Sequence, residues 1–270
     1  MLIDSHCHLD AAEFDADREA VALSALNAGV AAIIVPAVHR ANFDIVRQLA
    51  QTHRHCTYAL GIHPMYVDGA EAEDISVLTT LLENQHGESQ YPIAVGEIGL
   101  DFFVEGYNRE RQTWYFVEQL KLAKRFDLPV ILHVRRSVDE VLKYLRQIPV
   151  KGGIAHAFNG SRQQAEMFID MGFKLGFGGA MTYPRALKIR ELAATLPLEA
   201  IVLETDAPDI PPEWLGHQGR NSPDQLPKIA QVLAGLRGLE AMQVAEITTN
   251  NVLQLLPKIA QLCTPPHVLL

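Results

Sequence analysis

Short apolar runs alternate with longer amphipathic segments along almost the whole chain. Most of these runs are continuously apolar, which is typical of strands buried on both faces of a parallel sheet. The segments between them have helical periodicity. The pattern therefore predicts strand–helix units, with strands at Leu2–His6, Ala31–Val38, Thr57–Ile62, Ile93–Glu97, Val130–His133, Gly153–His156, Lys174–Gly178 and Ile201–Thr205.

Helix start and stop signals support this division. Ser137 and Ser161 each stand three residues before a Glu or Gln, which is the capping-box pattern of a helix start. A long helix is predicted over Asn108–Phe126, and Asp127-Leu128-Pro129 should end it and lead into the fifth strand. The tail after Pro257 is expected to be frayed.

Eight such units in 270 residues fit a (β/α)₈ TIM barrel, predicted as one domain over residues 1–270. A doubly wound open sheet is the structural alternative. An open sheet gathers its functional residues at one switch point, whereas here candidate residues follow most of the strands. The barrel is therefore favoured.

Metal-type ligands stand where the predicted strands end. In a parallel barrel these ends share one rim, so residues two hundred positions apart would meet there. Two imidazoles separated by one residue point the same way from an extended segment, and the residue between them points away. The candidate ligands are His6, His8, Glu97, His133, His156 and Asp206.

For each ligand taken alone there is an alternative. Two nearby histidines fit a polar turn, and Glu97 fits an ion pair with Arg109 or Arg135. His133 or His156 alone fits a hydrogen-bonded core histidine. Their joint occurrence at strand ends favours metal ligation.

Six ligands exceed the four that a tetrahedral zinc site takes, and they suit two divalent cations per subunit. Nitrogen ligands permit Zn, Mn or Ni, and the carboxylates also permit Mg. Hydrolysis is the expected chemistry, with Asp206 and Glu97 as the catalytic carboxylates. The chain has no nucleophile-elbow, P-loop or dinucleotide-binding motif that would indicate another reaction.

One histidine and three arginines are candidate substrate-binding residues. His63, at the end of the third strand, is expected to contact substrate or a metal. Arg135, Arg109 and Arg220 are candidates for holding a phosphate or carboxylate, although any single arginine also fits a solvated charge. Five further histidines are expected at the surface: His53, His55, His86, His217 and His267.

The net charge of −9 argues against a tight, non-specific nucleic-acid binder. It does not exclude an enzyme that handles phosphates transiently, because bound cations reverse the local charge. Three scattered cysteines, the lack of a signal-peptide pattern and the lack of an apolar run of about 20 residues predict a cytoplasmic protein without membrane contact. Nothing in the sequence indicates an obligate protein partner.

Five linked motifs resemble the TatD family of metal-dependent hydrolases, which belongs to the amidohydrolase superfamily. They occur in order over nearly the whole chain, as His6-Cys7-His8-Leu9-Asp10, Gly61-Ile62-His63-Pro64, Val95-Gly96-Glu97-Ile98-Gly99-Leu100-Asp101, Leu128-Pro129-Val130-Ile131-Leu132-His133 and Leu203-Glu204-Thr205-Asp206-Ala207-Pro208.

The resemblance implies a (β/α)₈ TIM barrel of the metal-dependent amidohydrolase type and a divalent-metal cluster. It implies that one ion is held by His6, His8, Glu97 and Asp206, and the other by Glu97, His133 and His156. It further implies deoxyribonuclease activity, in some members from the 3′ end, with DNA as a transient substrate. The chain departs from the family at His156-Ala157-Phe158-Asn159-Gly160 and His133-Val134-Arg135, so substrate preference can differ.

The leading hypothesis is a two-metal phosphodiesterase that acts on DNA ends. The alternative is an amidohydrolase or lactonase that acts on a small C–N or C–O substrate, since the same metals can polarise a carbonyl. A third hypothesis, a non-catalytic scaffold, is disfavoured because burying so many charges without metal would be costly.

Overall fold

The structure, a computed structural model, describes residues 1–84 and 91–263. Its strands are β1 (Leu2–Asp4), β2 (Val30–Pro36), β3 (Cys56–Ala59), β4 (Val95–Asp101), β5 (Val130–Arg135), β6 (Gly153–Ala155), β7 (Phe173–Phe177) and β8 (Ile201–Leu203). Its α-helices are α1 (Arg18–Asn27), α2 (Phe43–Thr52), α3 (Ala72–Asn84), α4 (Arg109–Arg125), α5 (Val138–Gln147), α6 (Arg162–Asp170), α7 (Leu187–Thr195), α8 (Leu226–Arg237) and α9 (Ala241–Leu255).

The strands form a closed parallel barrel in sequence order. Hydrogen bonding divides them into a sheet of β1 to β3 and a sheet of β4 to β8. A bridge between Leu60 and Val95 joins the sheets on one side. On the other side, the Ser5 amide donates to the Leu203 carbonyl over 3.0 Å. The predicted barrel is confirmed, and the doubly wound alternative is excluded.

All eight predicted strands and the long helix occur, with shifted ends. The helix runs over Arg109–Arg125, and the Asn108 side chain caps it by accepting from the Arg111 amide. The largest shift is in β4, which continues four residues past Glu97 to Asp101. This extension carries a further carboxylate to the rim.

Apolar side chains fill the barrel interior and close its amino-terminal end. Strand residues such as Ile3 and Ile131 pack there against Val252, Leu256 and Ile259. The last of these belongs to a 3₁₀ helix over Pro257–Gln261 and is 1% exposed. The prediction of a frayed tail is therefore wrong for this segment, which is held by burial of its apolar side chain, while residues 264–270 lie outside the described part.

The capping-box pattern predicted the side-chain cap of one helix correctly and that of another wrongly. Ser161 forms the predicted capping box with Gln164. Ser137 does not cap α5, because its hydroxyl donates instead to the Leu100 carbonyl over 2.6 Å. Among the described residues, no helix combines the length and apolar composition of a membrane span.

One predicted surface histidine is buried. His55 is 9% exposed, and its Nε2 lies 3.1 Å from the Ala22 carbonyl. This contact with the helix that packs over β2 was not visible in the sequence. His217 is exposed and His53 is half-buried, whereas His86 and His267 lie outside the described residues.

Candidate metal centre

The segment after β1 places two imidazoles side by side. The Nε2 atoms of His6 and His8 are 3.2 Å apart. They face Glu97 Oε2 at 3.2 and 3.5 Å, respectively. Cys7 is fully buried between them, with its sulfur 3.7 Å from the Ala207 carbonyl. The thiol thus packs into the wall, as the alternation of side chains predicts.

Asp206 reaches the same point from the segment after β8. Its Oδ1 lies 3.4 Å from His6 Nε2 and 3.6 Å from His8 Nε2. Its backbone has a positive φ of 57° and donates from its amide to the His6 carbonyl over 2.8 Å. A left-handed aspartate costs conformational energy, so its retention here is typical of a functional position.

Glu97 lies between two groups of histidines. Its Oε2 faces His6 and His8, whereas its Oε1 lies 2.8 Å from His156 Nε2 and 3.1 Å from His133 Nδ1. Burial opposes ionisation of this carboxylate, but the surrounding imidazoles outweigh it and hold the pKa of Glu97 well below its usual range. Glu97 therefore presents Oε2 to one pair of histidines and Oε1 to the other pair.

The spacing of these atoms fits divalent cations. Ligand atoms held by one ion at about 2.1 Å lie roughly 3.0 to 3.4 Å apart, and the separations here are 2.8 to 3.6 Å. In addition, Asp206 Oδ1 is buried without a hydrogen-bond partner among the described residues. Burial raises the pKa of the Asp206 carboxyl to about 6. Such a convergence of lone pairs in a buried place is best compensated by metal.

Asp101 orients one of the histidines, and the sequence analysis did not assign it a role. Its Oδ2 lies 2.9 Å from His133 Nε2, so the Nδ1 of that ring faces Glu97. Burial opposes ionisation of Asp101, but the bonds from His133 and from backbone amides lower its pKa to about 2. A carboxylate behind a histidine ligand is the usual way to fix its tautomer and orientation.

The register of β4 and β5 makes this pair possible. It aligns Gly99 with His133 and Asp101 with Arg135. Gly99 has a φ of 151°, and a Cβ there would collide with the His133 carbonyl. Only glycine therefore allows the two strands to approach this closely beside the ligand.

Glu204 is a second buried carboxylate that the sequence analysis left without a role. Its Oε1 accepts from the Ala157 amide over 2.5 Å and lies 3.8 Å from His156 Nδ1. A Cβ at Gly176 would collide with its other oxygen. The sequence contained a signal for both carboxylates, because residues two or four positions apart on a strand point to the same face. Glu204 should therefore share a face with Asp206, and Asp101 with Glu97.

His63 reaches the centre with a proton on the facing nitrogen. Its Nδ1 accepts from the Met65 amide over 3.1 Å, which places the hydrogen on Nε2. This Nε2 lies 3.5 Å from Glu97 Oε1. Burial lowers the pKa of His63 to about 4, so the ring is neutral. In this tautomer His63 directs its Nε2–H toward Glu97. Its ring nitrogen also lies within 4.8 Å of ligand atoms of Glu97 and His133, so its contact with substrate or a metal stays a prediction.

The three candidate arginines are placed differently. Arg135 is the nearest to the centre, with its Nη1 3.9 Å from Asp101 Oδ2. Arg109 forms an ion pair with Glu140. Arg220 pairs with Asp17. Arg109 and Arg220 are therefore each already paired with a carboxylate.

The six candidate ligands are brought together, whereas the proposed alternative partners of Glu97 are not. Among the described residues, Glu97 forms ion pairs only with histidines, namely His6, His8, His63, His133 and His156. An ion pair between Glu97 and an arginine is therefore excluded. That these six residues bind metal ions stays a prediction.

Comparisons with known proteins agree with this fold and show the family. Residues 3–257 match the family described as TatD related DNase. The uncharacterized metal-dependent hydrolase YjjV of Escherichia coli K12 is 45% identical over 92% of this chain and 95% of its own. Its crystal structure superimposes with a TM-score of 0.89, covering 95% and 98% of the two chains. Human deoxyribonuclease TATDN3 is 32% identical over 97% and 96%. The chain belongs to the TatD family of metal-dependent hydrolases.

Proposed function

We propose that this protein is a divalent-metal-dependent deoxyribonuclease that removes nucleotides from the 3′ end of DNA. The observation that carries the proposal is the division of the two Glu97 oxygens between two groups of ligands. This arrangement suits a pair of cations, and such pairs serve in-line displacement at phosphorus. The match to the family described as TatD related DNase and the name of the human relative support the choice of substrate.

The ligand groups proposed for the two ions share Glu97. One is His6, His8, Glu97 and Asp206, and the other is Glu97, His133 and His156. When bound, the cations would supply a water nucleophile at neutral pH and charge that neutralises the phosphate. Zn, Mn, Ni and Mg all remain compatible with this donor set.

The side chains of this chain perform the remaining steps. Asp206 is the proton acceptor, because its Oδ1 has no hydrogen-bond partner among the described residues and faces the shared space. His63 donates from Nε2 to an oxygen of the substrate phosphate. Arg135, which is half-exposed beside Asp101, binds a further phosphate oxygen. Arg109 and Arg220 would contribute only by leaving their present ion pairs.

The test is hydrolysis of single-stranded DNA labelled near its 5′ end, after reconstitution with each candidate metal. We expect a ladder of products that shorten stepwise from the 3′ end. The chelated protein is the matched control and should be inactive. A panel of amides and lactones is assayed beside it. Intact DNA together with turnover of one of these small molecules would refute the nuclease proposal in favour of the amidohydrolase or lactonase alternative.

A further inference from the structure

An exposed aromatic ring carries two guanidinium groups at the rim of the barrel. Phe103, in the loop after β4, is 44% exposed. The Arg135 Cζ lies 3.8 Å from its ring centroid and the Arg136 Cζ lies 4.5 Å from it. Both arginines are exposed at the end of β5. We call Phe103, Arg135 and Arg136 the rim cluster.

The charge of the rim cluster is poorly compensated. In the described part of the chain, Arg136 has no ion pair, and Arg135 has only the 3.9 Å contact with Asp101, which already bonds to His133. Seven other arginines form ion pairs with a carboxylate: Arg18, Arg40, Arg47, Arg109, Arg125, Arg162 and Arg220. Six more resemble Arg136 in having none among the described residues: Arg54, Arg111, Arg146, Arg185, Arg190 and Arg237. What distinguishes the rim cluster is that two guanidinium groups share one exposed aromatic ring. In a chain of net charge −9, an unpaired positive patch indicates an anionic ligand.

The rim cluster is connected to the candidate metal centre by Asp101. One oxygen of Asp101 contacts His133, and the other accepts from the Phe103 amide over 2.8 Å. Asp101 and His133 thus stand between the cluster and Glu97. Arg135 is the member of the cluster nearest the centre, so a group bound at Arg136 and Phe103 would lie beside the reacting phosphate rather than on it.

We propose that the rim cluster is a subsite for the nucleotide that neighbours the scissile phosphodiester, and that it makes the enzyme prefer longer oligonucleotides to dinucleotides. Arg136 binds the flanking phosphate, and the Phe103 ring with its stacked guanidinium groups offers a platform for a base. Positive groups beside aromatic rings are the usual means of holding single strands without sequence preference. This inference rests on the proposed nuclease function.

The first test is binding, which does not depend on catalysis. A fluorescein-labelled oligothymidylate of about ten nucleotides is titrated against chelated protein, with anisotropy as the readout. We expect Arg136→Gln and Phe103→Leu each to weaken binding by at least about fivefold. Arg136→Gln should also lower the salt slope by about one. Arg136→Lys keeps the charge without the planar stack and should show an intermediate loss.

The matched control is Arg125→Gln. Arg125 is also exposed over an aromatic ring, 5.1 Å from the Phe126 centroid, but it ends α4 at the opposite end of the barrel. Its substitution should leave affinity unchanged. Equal affinities of the Arg125 and Arg136 variants would overturn the inference.

Kinetics then separate this inference from the proposed function. In the wild type, KM should fall as the substrate lengthens from a dinucleotide to a hexanucleotide, and Arg136→Gln should abolish that gain. If the wild type cleaves DNA but the variant keeps the same length dependence, the subsite is wrong and the nuclease stands. If the wild type binds the oligonucleotide through Arg136 and cleaves no phosphodiester, the nuclease proposal fails while the binding surface is supported.

Discussion

The two ends of the same barrel are built on opposite principles. At the amino-terminal end, Leu256 and Ile259 close the interior with apolar side chains, and the buried polar side chain of Asn251 is satisfied by the Leu198 and Ile201 carbonyls. At the carboxyl-terminal end, Glu97 and Asp101 are almost fully buried yet polar, each contacting imidazoles. Burial of apolar surface stabilises the fold, whereas a buried carboxylate is tolerated only when it is compensated. Stability and chemistry are thus assigned to different ends of the same strands.

The largest effect is expected from Asp206→Asn. The amide matches the shape of the carboxylate but removes its charge and its capacity to accept a proton. We expect DNA hydrolysis to fall by about a thousandfold or more, with the thermal midpoint near that of the wild type. The rate is measured with saturating metal and compared with thermal unfolding of the same sample. A variant with near-normal turnover would remove Asp206 from the mechanism.

The double variant His6→Ala/His8→Ala should lose at least one bound ion. Both rings face Glu97 Oε2, so their removal leaves that oxygen with Asp206 alone on this side. Metal content is measured by elemental analysis after reconstitution and dialysis. The control is His217→Ala, an exposed histidine that stacks on Tyr183, which should keep the wild-type content. Equal metal content in the double variant and the wild type would sink the ligand assignment.

At the other end of the barrel, Leu256→Ala should affect stability and not chemistry. This side chain is 3% exposed among the apolar residues that close the interior. Its truncation should lower the free energy of unfolding by about 2 to 5 kcal/mol through lost burial and a residual cavity. Denaturant unfolding measures this effect, and metal content should stay unchanged. A variant that lost metal but kept the wild-type free energy of unfolding would contradict the assignment of stability to one end of the barrel and chemistry to the other.

A smaller effect is expected from Asp101→Asn. The variant keeps a partner beside His133 Nε2 but removes the charge that fixes the ring. Affinity for metal should fall by about 10-fold to 100-fold, as is usual for the partner of a histidine ligand. Isothermal titration of the metal-free protein measures this change. Asp127→Asn, on an exposed turn, is the control, and identical affinities in the two variants would assign Asp101 a structural role only.

The barrel could be predicted from the sequence because continuously apolar strands are typical of parallel sheets that are buried on both faces. The candidate ligands were found because each stands at, or just past, the predicted end of such a strand. Asp101 was missed because β4 was ended at Glu97, and its partner His133 is 32 positions away and reachable only through strand register. Ser137 matched the capping-box pattern, but its hydroxyl donates to the carbonyl of Leu100, which is 37 positions away. Local signals thus predict elements, and tertiary contacts decide partners.

We propose that the ligands on the two sides of Glu97 would each hold one divalent cation. Anomalous diffraction from crystals of the protein reconstituted with Mn or Zn tests this proposal. We expect two anomalous peaks, one beside His6, His8 and Asp206 and the other beside His133 and His156. A single peak at full occupancy, or a peak away from Glu97, would contradict it.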